Sequence, residues 1–164
     1  MNSTIHTALG FSSLISGLIA LLAVKGSMIH KVFGRVYIAS MLGLNITAFG
    51  IYTLFGKFAI YHWFAVISIV MTLLAVAPLI LKHKTKEWKV YHYYFVNWSY
   101  VGLLCATSNE MFVHVPVFTQ LAKQIQWLPL LILAIIILTA SIVIPNRAKP
   151  TLKKVEPVVA HNSE

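Results

Sequence analysis

Residues 5–24, IHTALGFSSLISGLIALLAV, run twenty positions without a charged side chain. That length matches the roughly 20 helical residues needed to cross about 30 Å of hydrocarbon. Helix is the expected conformation, because lipid offers no partner to the open edge of a sheet. No Lys or Arg precedes the run, and the LLAVKG that ends it (residues 21–26) lacks a small-x-small cleavage pattern. It therefore reads as a retained span rather than a cleaved signal peptide.

Four further apolar runs follow, at residues 32–55, 58–81, 90–107 and 127–144. The composition agrees: 59% of the 164 residues are hydrophobic, 10% are charged, and the mean hydropathy is +0.80. Soluble domains carry about 25% charged residues, so lipid must cover much of this surface. The expected fold class is all-α: a four-helix transmembrane bundle plus a fifth transmembrane helix, in one domain over residues 1–145. The last residues, NRAKPTLKKVEPVVAHNSE (146–164), read as a basic, disordered tail whose cations favour anionic lipid.

The cations set the expected orientation. Lys25, Lys31 and Arg35 flank the first connection; Lys82, Lys84, Lys86 and Lys89 fill the third; Arg147, Lys149, Lys153 and Lys154 follow the last span. Only Lys57 and Lys123 fall on the opposite side. The positive-inside rule then places the N-terminus outside and the C-terminus in the cytoplasm. Interfacial aromatics agree, with Trp88, Tyr91, Tyr93 and Tyr94 at the inner boundary and Tyr61, Trp63 and Trp127 at the outer one. In the outer connection, residues 108–126, the stretch TQLAKQIQW (119–127) fits a short helix on the lipid surface. The net charge of +9 is thus a topological signal, and nucleic acid is not an expected partner.

Small residues recur at helical spacing: His6, Gly10, Ser13 and Gly17 on helix 1, and Ser40, Gly43, Thr47 and Gly50 on helix 2. Such stripes allow close helix approach in membranes. Asn45 and Asn97 lie well inside spans, so each amide needs a partner, and bonding to each other is one solution. Helix 5, with only Thr139 and Ser141 as polar groups, fits a lipid-facing anchor.

Chemistry is sparse. Aspartate is absent and the glutamates are Glu87, Glu110, Glu156 and Glu164, which removes carboxylate-pair catalysis. Cys105 is the sole cysteine, so no intrachain disulfide forms. Ser13, Ser16 and Ser99 have no acid at matching depth and no nucleophile elbow, so a hydrolase is the least expected class.

Seven histidines remain. Orientation sorts His6, His62 and His114 to the outer side and His30, His83 and His92 to the inner side, with His161 in the tail. One chemistry that fits is bis-histidine haem b, pairing His30 with His92 and His6 with His62 in a bundle whose helices run in order. Gly34 and Gly10, one turn from His30 and His6, would leave room for the macrocycle, and Arg35 and Lys31 would meet its propionates. A second is a divalent metal site of His6, His62, Glu110 and His114, the last two sharing a helix face at i, i+4. Interfacial histidines also serve with no ligand at all, in the headgroup layer or bonded to a neighbour. A proton relay needs groups across the mid-membrane, and the pattern supplies no such chain.

Residues 6–42, HTALGFSSLISGLIALLAVKGSMIHKVFGRVYIASML, resemble a bacterial family of small membrane proteins known only as a domain of unknown function. The matching residues are His6, Gly17, His30, Lys31, Gly34, Arg35 and Tyr37, with His92 opening helix 4. The resemblance covers helices 1–4 and implies a multi-pass protein of the bacterial cytoplasmic membrane. In HYYFVNWSY (92–100) the arginines and Trp–Met pair common in that family are missing, and Asn97 stands where one arginine would fall. Three roles stay open: a haem-binding redox protein serving a quinone or protein partner, a metal or small-molecule binder or transporter at the outer layer, and an accessory subunit without chemistry.

Overall fold

The computed structural model describes residues 2–50, 60–81 and 87–153, with side chains over 4–50, 62–81 and 87–148. Among them the protein is all-helical: α1 (Asn2–Leu22), α2 (Met28–Ala48), α3 (Ile60–Ile80), α4 (Trp88–His114), α5 (Pro116–Gln124) and α6 (Leu128–Lys153). Segments of α1, α3 and α6 are long and apolar enough to cross a membrane, and the count reaches four only if α4 and α5, bent by 89°, are taken as one span. The expected second span, 32–55, corresponds to α2, which begins earlier, at Met28. The end of that span, with Lys57, Lys82, His83, Lys84, Lys86, Lys154 and His161, lies outside the described residues.

The chain forms two compact units, Met1–Leu73 and Leu74–Glu164, with the boundary inside α3. In the first, α1 and α2 pack antiparallel. Leu9 lies over Gly43, where an added Cβ would come within 3.1 Å of the leucine Cδ1, and Leu44 lies over Gly10. Ser12 and Ser40 share a hydrogen bond of 2.8 Å across the seam. The expected small-residue stripes are therefore what the two helices bring together. Gly26 makes the tight turn, with φ +83°, a conformation that costs a side chain about 1–2 kcal/mol. Ser27 then caps α2, its hydroxyl accepting from the His30 backbone N–H at 3.2 Å.

This unit has a polar interior. Among the described residues Ser13, Ser16, Ser40, Asn45, His62 and Thr72 are buried here, and Ser99 is buried in the second unit. Three are satisfied within their own helix: Asn45 donates to Met41 O (2.8 Å), Ser16 to Ser12 O (2.5 Å) and Thr72 to Ser68 O (2.8 Å). Outward-facing Phe11, Ile15, Leu18 and Leu22 are exposed, an arrangement suited to lipid rather than water.

In the second unit α4 packs on α6, where the Tyr93 hydroxyl donates to Ile144 O at 3.2 Å. Asn97 donates to Tyr93 O at 2.7 Å, so this amide, like that of Asn45, finds a partner one turn back in its own helix. Two boundaries differ from expectation. The fourth helix continues past Thr107 to His114, because polar Ser108, Asn109 and Glu110 end an apolar run without ending a helix; Pro116, which lacks the N–H, ends it. The last helix passes Ile144 and reaches Lys153, so the first eight residues of the expected disordered tail are helical. The short helix expected in the outer connection is α5.

Candidate functional site

Three histidines are held in the same way. His30 is half-buried at the start of α2, and its Nδ1 lies 2.9 Å from Ala20 O, a carbonyl in the last turn of α1. His92, in the first turns of α4, places Nδ1 2.7 Å from Ala75 O of α3. A carbonyl oxygen only accepts, so both rings carry a proton on Nδ1, which in the neutral imidazole leaves the lone pair on Nε2. His6 reaches the same state by another route. The Thr47 hydroxyl commits its proton to Leu44 O at 2.8 Å and so accepts from His6 Nδ1 at 3.0 Å.

Helix ends explain the placement. The last carbonyls of α1 have no partner within the helix. The antiparallel return of α2 brings His30 to one of them, and Lys25 Nζ reaches Leu21 O at 2.5 Å and Ala20 O at 3.4 Å. Partial burial there holds the Lys25 ammonium below the usual lysine range. His30 thus has a structural task at the end of α1.

The remaining candidates divide. His62 is buried at the start of α3, its ring tilted beside Phe49 with centroids 6.3 Å apart. Gly34 is half-buried, and a Cβ built on it meets nothing within 4 Å, so space is open there. Gly10 differs from the expectation of a vacant patch, since Leu44 already fills the surface its missing side chain leaves. Arg35 and Lys31 are exposed on α2. Glu110 and His114 do share a helix face, at 3.1 Å, but both are solvent-facing. No three of the His, Cys, Asp and Glu side chains among the described residues gather as a metal site.

Sequence reasoning missed the oxygens that orient the histidines. Thr47 was legible as a stripe residue, not as an imidazole partner. Ala20 O and Ala75 O carry no sequence signal, because a backbone carbonyl belongs to every residue.

Comparison with protein-family models, curated proteins and solved structures finds no match to this chain, so its site is read from its own geometry.

Proposed function

We propose that the chain is a multi-pass protein of the bacterial cytoplasmic membrane that binds haem b through histidine Nε2 atoms and carries electrons for a quinone or protein partner. In this reading His30 and His92 are ligands toward the cytoplasmic side, and His6 and His62 toward the outer side. Five spans with the N-terminus outside suit the charge distribution, eleven cations against two.

The observation that carries the proposal is the shared tautomer of His6, His30 and His92. Histidines that bind metal through Nε2 characteristically donate Nδ1–H to a carbonyl, carboxylate or similar oxygen, which fixes the ring and raises its basicity. Open space at Gly34 and the exposed cations of Lys31 and Arg35 suit a bulky anionic macrocycle near His30.

A second reading rests on the same bonds. His30 closes the C-terminal end of α1 in the manner of a structural cap, and an accessory subunit held by its α1–α2 seam needs nothing more.

Optical spectra of the detergent-purified full chain, oxidised and dithionite-reduced, with a pyridine haemochrome assay, test the first reading. A sharp reduced α-band, lowered in haem content by His30→Ala and by His92→Ala taken singly, supports it. A colourless protein after expression with added haem overturns it and leaves the accessory role.

A further inference from the structure

In the second unit the chain makes an elbow after His114. Helix α5 departs from α4 at 89°, with Val115 alone between them. The elbow is fixed. Pro116 stops α4, the Thr119 hydroxyl lies within hydrogen-bond reach of Phe112 O (2.9 Å), Val115 O (3.0 Å) and Val113 O (3.3 Å), and Phe112 meets Phe118 edge-on at 5.7 Å. At 27 residues α4 extends about 40 Å, enough to cross a bilayer. Spans tilt by about 20° on average from the membrane normal. A helix at right angles to such a span lies near the membrane plane.

The side chains of α5 are sorted to match. Phe118 and Ala122 are half-buried, facing the protein's own helices. Val117, 72% exposed, and Leu121 form an uncovered apolar edge at i, i+4, and Trp127 is 62% exposed just beyond. Lys123, about 120° round the helix from Val117, is exposed on the far side with Gln120 between them, and Gln124, at i+7 from Val117, lies beside the apolar edge. Nine residues span only about 14 Å, too short to cross, and the glutamines and lysine are costly inside hydrocarbon. Full exposure to water leaves Val117, Leu121 and Trp127 bare. The boundary between headgroups and acyl chains satisfies both edges, and tryptophan is enriched at that level.

We infer that α5 is an interfacial helix whose occupant is the phospholipid surface: Val117 and Leu121 sit in the acyl boundary, and Gln120 and Lys123 lie among headgroups and water. This rests on the chain spanning a membrane with α4 alone as one of its spans, and is independent of haem.

The test uses full-length protein with Cys105→Ala, single cysteines at 117, 120, 121 and 123, and nitroxide labels read by power saturation in phosphatidylcholine–phosphatidylglycerol vesicles. Labels at 117 and 121 should relax preferentially with oxygen, and those at 120 and 123 with a water-soluble nickel chelate. Four oxygen-dominated labels would make α5 an inserted half-span, and four nickel-dominated labels would lift it off the membrane; either overturns the inference. Unlabelled wild-type protein provides a second reading, by reaction of Lys123 with a water-soluble amine reagent present on both faces of the vesicles. An interfacial α5 leaves Lys123 modified to the level of an accessible lysine, and protection of that amine counts against it.

Discussion

Two glycines on the α1–α2 seam allow a matched perturbation. Gly10 and Gly43 face the partner helix, but a Cβ on Gly10 would stand 3.7 Å from Leu44 Cδ1, an ordinary contact, while one on Gly43 would stand 3.1 Å and 3.4 Å from the two Leu9 methyls. Replacing a mid-helix glycine by alanine gains up to about 1 kcal/mol from reduced backbone entropy. Gly10→Ala should keep nearly all of that gain. Gly43→Ala should keep little, because carbon atoms prefer about 3.5–4.0 Å and Leu9 must yield, at roughly 0.5–1.5 kcal/mol if it leaves its rotamer. Gly43→Leu has no such escape. Overpacking costs about 1–3 kcal/mol, and pushing the helices apart also breaks the Ser12–Ser40 bond, worth about 0.6 kcal/mol in a membrane host. The expected order is Gly10→Ala above wild type, Gly43→Ala near wild type, and Gly43→Leu lower by about 2–3 kcal/mol, summed from those terms. Reversible unfolding in mixed detergent micelles, followed by circular dichroism, measures it. The packing argument fails if Gly43→Leu matches wild type, or if Gly10→Ala is the more damaging alanine.

Nitrogen-15 spectra of histidine-labelled protein, at a pH above imidazole titration, should show His6, His30 and His92 protonated on Nδ1; a dominant Nε2–H form at His30 would contradict its bond to Ala20 O. Ser27→Ala removes the cap of α2 and should cost about 1 kcal/mol in the same unfolding assay, with Ser27→Asn restoring most of it.

Periodicity made the seam legible. Gly10 and Ser13 on one helix and Ser40, Gly43 and Thr47 on the other are small or polar at a spacing that only a helix places on one face, and that face is the packed one. Hydropathy misread helix ends. It closed the fourth helix at Thr107 because Ser108, Asn109 and Glu110 are polar, yet helical hydrogen bonding is indifferent to that until Pro116 removes a donor. The same measure closed the last helix at Ile144, nine residues before it stops. Asn45 and Asn97 were legible as amides in need of partners, but not as amides bonded to the carbonyl four residues back. For the candidate site, residue types were visible and orientation was not. His30 and His92 announce themselves, whereas the carbonyls that select their tautomer depend on which turn of a neighbouring helix arrives beside them.

The polar seam of the first unit also bears on how the chain enters a bilayer. Helix α2 carries Lys31, Arg35 and Asn45 within its 21 residues, and by length and composition it is not among the helices apolar enough to cross a membrane. Helix α1 offers what α2 lacks: a longer apolar run, and hydroxyl and carbonyl oxygens along the face that α2 meets. Only residues 23–27 separate them. On the proposed membrane reading the two helices therefore enter as one object, a hairpin that partitions together. A nascent chain in which α1 is blocked should stall with α2 outside the lipid, although not one residue of α2 has changed.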